Sequence, residues 1–162
     1  MRLYDFRTEY RENPIGLTEK APRFSWKIES DEQDTLQISY EIKVTDENGK
    51  LVWDSGKKIS DQSVLISYEG EALTGETFYT VEVTVADNHG NVESVEGSFE
   101  TGIFDQTEFK AQMITSDFPE AETACPVFGK TFAINKKVKK ARLYATAHGV
   151  YEVTFNGQTV GD

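Results

Sequence analysis

Cysteine is almost absent from this chain. Cys125 is the only one among 162 residues, so no intrachain disulfide can form. Histidine is nearly as scarce. His89 and His148 stand apart, and neither has a second His or a Cys at the spacing of a zinc ligand set. No run of about 18 apolar residues occurs, which excludes a helical membrane span. The first stretch, MRLYDFRTEYRENP, is charged and has no apolar segment, so it does not read as a secretory signal. Gly-x-Ser-x-Gly is missing, and no motif sets a base beside a serine. The glycines are single and lie in turn-like surroundings, so no glycine-rich loop is present to cradle phosphate. Cys125 precedes Pro126 in a loop with no cation beside it, and reads as an inert thiol. The lone cysteine and the missing signal lead to the expectation of a cytoplasmic protein.

Basic residues are the next shortage. Lys and Arg number 17 against 28 Asp and Glu, a net charge of −11. The imbalance is uneven: residues 1–102 carry 21 acidic and 10 basic side chains, while residues 103–162 carry 7 of each. This shift marks a boundary near Gly102. An acidic front half argues against a nucleic-acid partner, which would require Lys and Arg to neutralise phosphates. No membrane partner is expected.

What the chain does have is alternation. RFSWKI sets Phe24, Trp26 and Ile28 on one face. QISYEIKVT sets Ile38, Tyr40, Ile42 and Val44 opposite Gln37, Ser39, Glu41 and Lys43. A period of two is that of a half-buried strand. DENGK turns the chain into LVWDSG. SVLISY offers Val64, Ile66 and Tyr68, and FYTVEVTVAD offers Tyr79, Val81, Val83 and Val85. NHGN turns again into a strand ending at Phe99. No stretch sustains a period of 3.6, so very little helix is expected. About seven strands at such spacing predict a β-sandwich. Leu73, Tyr79, Val81 and Val83 form L-x5-Y-x-V-x-V, which places Tyr79 at a tyrosine corner. With Trp26 and Tyr40 on earlier strands, residues 20–102 resemble a fibronectin type III domain. The same alternation puts Phe78 opposite Tyr79, so one of the two must face out.

After Gly102 the pattern restarts. EFKAQMITSD is short and amphipathic, DFPEAETACP is a loop, and VFGKTFAIN reads as a strand. Further strands are expected from Ala141 onward and in VYEVTFNG, where Asn156-Gly157 signals a hairpin. Four strands cannot bury both faces of a sandwich, so this second unit reads as incomplete. The fold class is therefore all-β: a fibronectin type III-like (immunoglobulin-like) β-sandwich over residues 1–103, then a partial, jelly-roll-like sandwich over 104–162.

Five phrases, taken in order, resemble one family. They are NPIGLTEKAPRFSW, LVWDSG, FETGIF, PVFGKTFAIN and KKARLYATAHGVYEVTFNGQTVGD. Together they are similar to the amino-terminal region of bacterial α-L-rhamnosidases, the family 78 glycoside hydrolases. The matching positions are Asn13-Pro14, Pro22-Arg23 with Trp26, Phe99–Gly102, Ala141 with Leu143-Tyr144, Gly149 with Tyr151, and Asn156-Gly157 with Val160. Where members often carry Trp, in the stretch matching EFKAQMIT, this chain has Phe109 and Met113. The resemblance implies that more of the sandwich follows, then a helical barrel carrying the paired carboxylates of an inverting hydrolysis. It also implies a second module of a carbohydrate-binding kind.

Inverting hydrolysis needs two carboxyl groups about 6.5–9.5 Å apart in opposite protonation states. Asp31-Glu32, Asp46-Glu47 and Glu69 with Glu71 lie in polar turns and read as solvated surface. No catalytic, cofactor-binding or metal-ligating residue is assigned, and no cofactor is expected. Asn156 and Asp162 are the only oxygen donors near the end, too few for calcium. The residues read as sugar or interdomain contacts are Trp53, Tyr144, Tyr151 and Asn156. The basic run NKKVKKAR (Asn135–Arg142) reads as a solvated edge. Two functions follow. One is the non-catalytic front of a glycosidase acting on terminal α-L-rhamnosides. There the rest of the parent chain is the partner, and the role is to scaffold it or present a rhamnose-containing glycan. The other is a free-standing fibronectin-like module that binds protein.

Overall fold

Alternating strands close on one another here as two antiparallel sheets. The computed structural model describes residues 1–117 and 125–161. The chain divides into two units, Met1–Lys110 and Ala111–Asp162. In the first, β1 (Arg2–Thr8), β2 (Arg23–Glu29) and β6 (Ile66–Ser67) form one sheet in the order β1-β2-β6. The other sheet runs β4 (Leu51–Asp54), β3 (Gln37–Asp46), β7 (Phe78–Asp87), β8 (Val92–Glu100), and the short β5 (Lys58–Ile59) also pairs with β3. Among the described residues the only helical element is a 3₁₀ turn at Gln106–Glu108.

The inward faces of both sheets meet in one core. Phe24 and Trp26 of β2, Ile42 and Val44 of β3, Val81, Val83 and Val85 of β7, and Phe99 of β8 are all buried. Burying one such side chain is worth roughly 1.5–3 kcal/mol. Within the layers Phe24 lies 6.0 Å from Phe6 and Tyr79 stacks on Phe99 at 5.0 Å, and between them Phe24 lies 6.1 Å from Phe99. Trp26 meets Tyr40 edge-on at 5.5 Å. Tyr79 forms the expected corner, its hydroxyl accepting from the Thr74 N–H at 2.9 Å. Phe78, beside it, is the ring that faces out.

Two positions break the expected alternation. Ile38 is 46% exposed, because the pairing of β3 with β7 slips between Gln37 and Ser39. This bulge reverses the phase and turns Gln37 inward. There it is used: Gln37 Oε1 accepts from Trp26 Nε1–H at 2.9 Å, and its amide donates to the carbonyls of Ser60 and Gln62. Val64 is exposed as well. Leu65 has φ +52°, so the extended backbone begins only at Ile66.

Both hairpin turns of the larger sheet use one device. Asp46 Oδ1 accepts from the N–H groups of Asn48 and Lys50, and Asp87 Oδ1 from those of His89 and Asn91. An Asp that opens a turn and satisfies the amides ahead of it fixes the register of the strands it joins.

The second unit is sparser. β9 (Val153–Phe155) and β10 (Gln158–Val160) form a hairpin across Asn156 and Gly157, at φ +52° and +81°. Left-handed backbone at both turn positions suits Asn-Gly. The strands expected over VFGKTFAIN and from Ala141 are not formed among the described residues. Their apolar side chains, Phe128, Phe132, Ile134 and Leu143, are exposed, and Val127 is 96% exposed. A strand is held by a neighbour and by a second layer, and among the described residues neither is available to these segments. Part of the DFPEAETACP loop, including Pro119, lies outside the described residues, as does Asp162.

Candidate functional site

Two phrases far apart in the sequence form one structure. Asn13 Oδ1 accepts from the Ser98 N–H at 2.8 Å, and Pro14 O accepts from the Glu100 N–H at 2.9 Å. The Leu17 N–H then donates to Glu100 O, and the Gly102 N–H to Leu17 O at 2.6 Å. Asn13–Leu17 thus lies along the end of β8 like a clasp. A Cβ on Gly102 would sit 2.9 Å from the Gly16 carbonyl oxygen, so only glycine permits this approach. Thr101, fully buried, donates from Oγ1 to Thr74 O at 2.6 Å and accepts from the Thr77 N–H. The clasp therefore joins the first loop, the last strand and the tyrosine corner.

The residues read as sugar or interdomain contacts do not form a single cluster. Trp53 is in the core at 8% exposure, between Phe24 at 6.1 Å and Tyr68 at 5.2 Å. Its ring faces are taken by packing, not open to a ligand. Tyr68 beneath it donates to Glu71 O, and burial pushes its phenol up to about 12. Tyr144 is half-buried in the second unit. Tyr151 is 53% exposed, with its hydroxyl donating to Ala145 O. Asn156 is exposed at the tip of the β9–β10 turn.

Several carboxylates are tied to the scaffold. Asp46 caps its turn, and the Lys50 and Asn48 amides hold its carboxyl below the ordinary value. Glu71 pairs with Lys50, and Glu32 lies 3.5 Å from His89 Nδ1. Glu9 grips both the guanidinium and the N–H of Arg23, which lowers its carboxyl despite partial burial. Among the described residues no three His, Cys, Asp or Glu side chains gather in a way that would hold a metal. Lys136, Lys137, Lys139 and Lys140 are exposed, and so is Cys125. A groove of about 480 Å³ in the first unit lies between β1 and β8 and is lined by Arg2, Tyr4, Asp5, Glu12, Val95 and Glu96 among others.

Comparison with known families likewise finds an immunoglobulin-like domain over this region. The family described as Rha78A-like, N-terminal immunoglobulin domain matches residues 3–105. The chain belongs to this family. Both arms of the clasp fall inside the matched region of the Rha78A-like domain. Residues 136–162 match a second family, the alpha-L-rhamnosidase N-terminal domain. An alpha-L-rhamnosidase of Formosa agariphila is 33% identical over 93% of this chain, and the chain spans 18% of that relative's length. The alpha-L-rhamnosidase of Streptomyces avermitilis, solved in complex with L-rhamnose, superposes with a TM-score of 0.64. It is 34% identical, over 68% of this chain and 11% of that one. The alpha-L-rhamnosidase from Dictyoglumus thermophilum gives a TM-score of 0.61 at 33% identity, over 67% and 13%. The chain thus corresponds to a small amino-terminal part of these relatives.

Sequence reasoning missed the working parts of the Rha78A-like domain that depend on contact. Gln37 had no signal, because a polar residue in a strand reads as outward-facing. Asn13-Pro14 and Phe99–Gly102 stood out as phrases, but nothing in their order told that they bond to each other.

Proposed function

We propose that this chain is a non-catalytic amino-terminal portion of an enzyme that hydrolyses terminal α-L-rhamnosides. The carrying observation is the Rha78A-like match over residues 3–105, joined to relatives named alpha-L-rhamnosidases of which the chain spans 18%. Residues 1–103 would serve as a rigid sandwich and residues 104–162 as the first part of a carbohydrate-binding-like module. Their partner would be the remaining domains of the parent, including a helical barrel that carries the catalytic carboxylates. The exposed Phe128, Phe132, Ile134 and Leu143 support this reading, since apolar side chains in such number call for cover. Tyr144, Tyr151 and Asn156 would meet glycan or a neighbouring domain from the second unit. No cofactor is required, and the cytoplasm remains the proposed location.

The test is direct. The purified chain, incubated with an aryl α-L-rhamnoside, should release no rhamnose, while the parent protein should. Turnover by the chain alone would overturn the non-catalytic role. A parent inactive on every α-L-rhamnoside tried would overturn the substrate class.

A further inference from the structure

β8 is an edge strand whose outer side is covered over only half its length. Ser98 and Glu100 give their N–H groups to Asn13 and Pro14. In an antiparallel strand, alternate residues point their peptide groups the same way. The N–H and C=O groups of Ser94 and Glu96 therefore point off the sheet on that same side. Among the described residues no group bonds them there.

The strand that runs nearby does not fill the gap. β1 pairs with β2 on its far side, and its register slips between Tyr4 and Arg7, with Asp5 at φ +50°. This bulge drives the Phe6 ring beneath Gly97, where a Cβ would lie 2.2 Å from a ring carbon. β1 is thereby held as a wall rather than a partner. The groove between the two strands remains, and Phe6 and Val95 are the apolar residues among those that line it beside Gly97.

We propose that the open edge of β8 at Ser94–Gly97 accepts an extended, lysine- or arginine-bearing peptide strand, which joins the sheet through main-chain hydrogen bonds. Two pairs of peptide groups are presented in register by Ser94 and Glu96. The charge around them selects the guest. Glu12 and Glu96 are exposed at the groove. Asp5 is already paired with Arg7 and Lys27, and the Arg2 guanidinium sits 5.7 Å from the Tyr4 ring centre. Cationic side chains flanking the guest strand would meet Glu96 and Glu12. A second copy of this chain fits worse, because an antiparallel pairing of two β8 edges sets glutamates close to one another. A sugar fits worse too, because Arg2 covers a face of Tyr4 on which a sugar would stack.

The experiment uses the full ¹⁵N-labelled chain and a synthetic peptide of alternating lysine and threonine. Saturating peptide should slow amide exchange at Ser94 and Glu96 by at least about tenfold and leave Ser98 unchanged. The same peptide N-methylated at alternate amides keeps its charge and should give no protection. An alternating glutamate and threonine peptide should not bind. The exposed double variant Glu12→Lys, Glu96→Lys should weaken binding by about tenfold while the circular-dichroism spectrum stays the same. Three results would overturn the proposal. One is slow exchange at Ser94 and Glu96 in the dilute free chain. The second is shifts without protection, which would mean charge attraction alone. The third is protection that rises with chain concentration alone, which would mean self-pairing.

Discussion

Trp26 shows how one residue is held from two directions. Its ring fills the space between the sheets, and its Nε1–H is satisfied by Gln37, a side chain that faces inward only because of the bulge. Trp26→Ala should lower stability by about 3–5 kcal/mol, read as a shifted denaturation midpoint. An unchanged midpoint would mean that the ring is not core. Two buried threonines make a sharper comparison. Thr8 Oγ1 is buried with no hydrogen-bond partner, whereas Thr101 Oγ1 both donates and accepts. Thr8→Val should be neutral or stabilising by up to about 1 kcal/mol, and Thr101→Val should cost about 1–3 kcal/mol. Equal losses in urea titrations of the two variants would show that Thr8 has a partner after all.

Among the elements, the clasp of Asn13–Leu17 on the end of β8 is the most exacting. Gly102→Ala would put a methyl group against the backbone of Gly16, and backbone cannot step aside as a long side chain can. The substitution should cost about 1–3 kcal/mol by forcing the clasp outward. Faster amide exchange at Ser98 and Glu100 should accompany that loss. A fully stable variant with those amides still protected would show that the approach is looser than it looks. The Asp-led turns make a different kind of contribution. Their energies are modest, but they set the register of β3 with β4 and of β7 with β8.

For the whole molecule, charge governs the response to pH. Asp5 is held below its ordinary value of 3.8 by Lys27 and Arg7, and Glu9 below 4.5 by Arg23. Burial pushes Asp87 up, but the hydrogen bonds from Asn91 and His89 outweigh it, so its carboxyl too ends low. A carboxyl with a depressed value in the folded state adds stability above its unfolded value. That stability is lost as pH falls through the folded one. The thermal midpoint of the first unit should therefore fall on acidification below about pH 4. The relief of self-repulsion in a chain of net charge −11 acts in the opposite direction at milder acidity. A midpoint that holds level down to pH 3 would overturn this expectation.

Local pattern, then, was enough for anything decided within one strand or one turn. The inward face of β7, the corner at Tyr79 and the Asn156-Gly157 hairpin all rest on spacing over a few residues, where alternation and backbone preference act directly. Spacing failed where the answer lay elsewhere in the chain. Ile38 faces out because β7 imposes a bulge on β3, and Trp53 is core because Phe24 and Tyr68 flank it. Residues 127–135 alternate like a strand yet form none, because among the described residues no neighbour pairs with them. The clasp joins residues some 85 positions apart, and the open edge of β8 exists only because the clasp stops at Ser98. Composition and periodicity determined that this protein is built of sheets. Which edges are closed, which rings are covered and which surface is left for a partner were decided by tertiary structure, because burial and hydrogen-bond pairing are properties of neighbours in space.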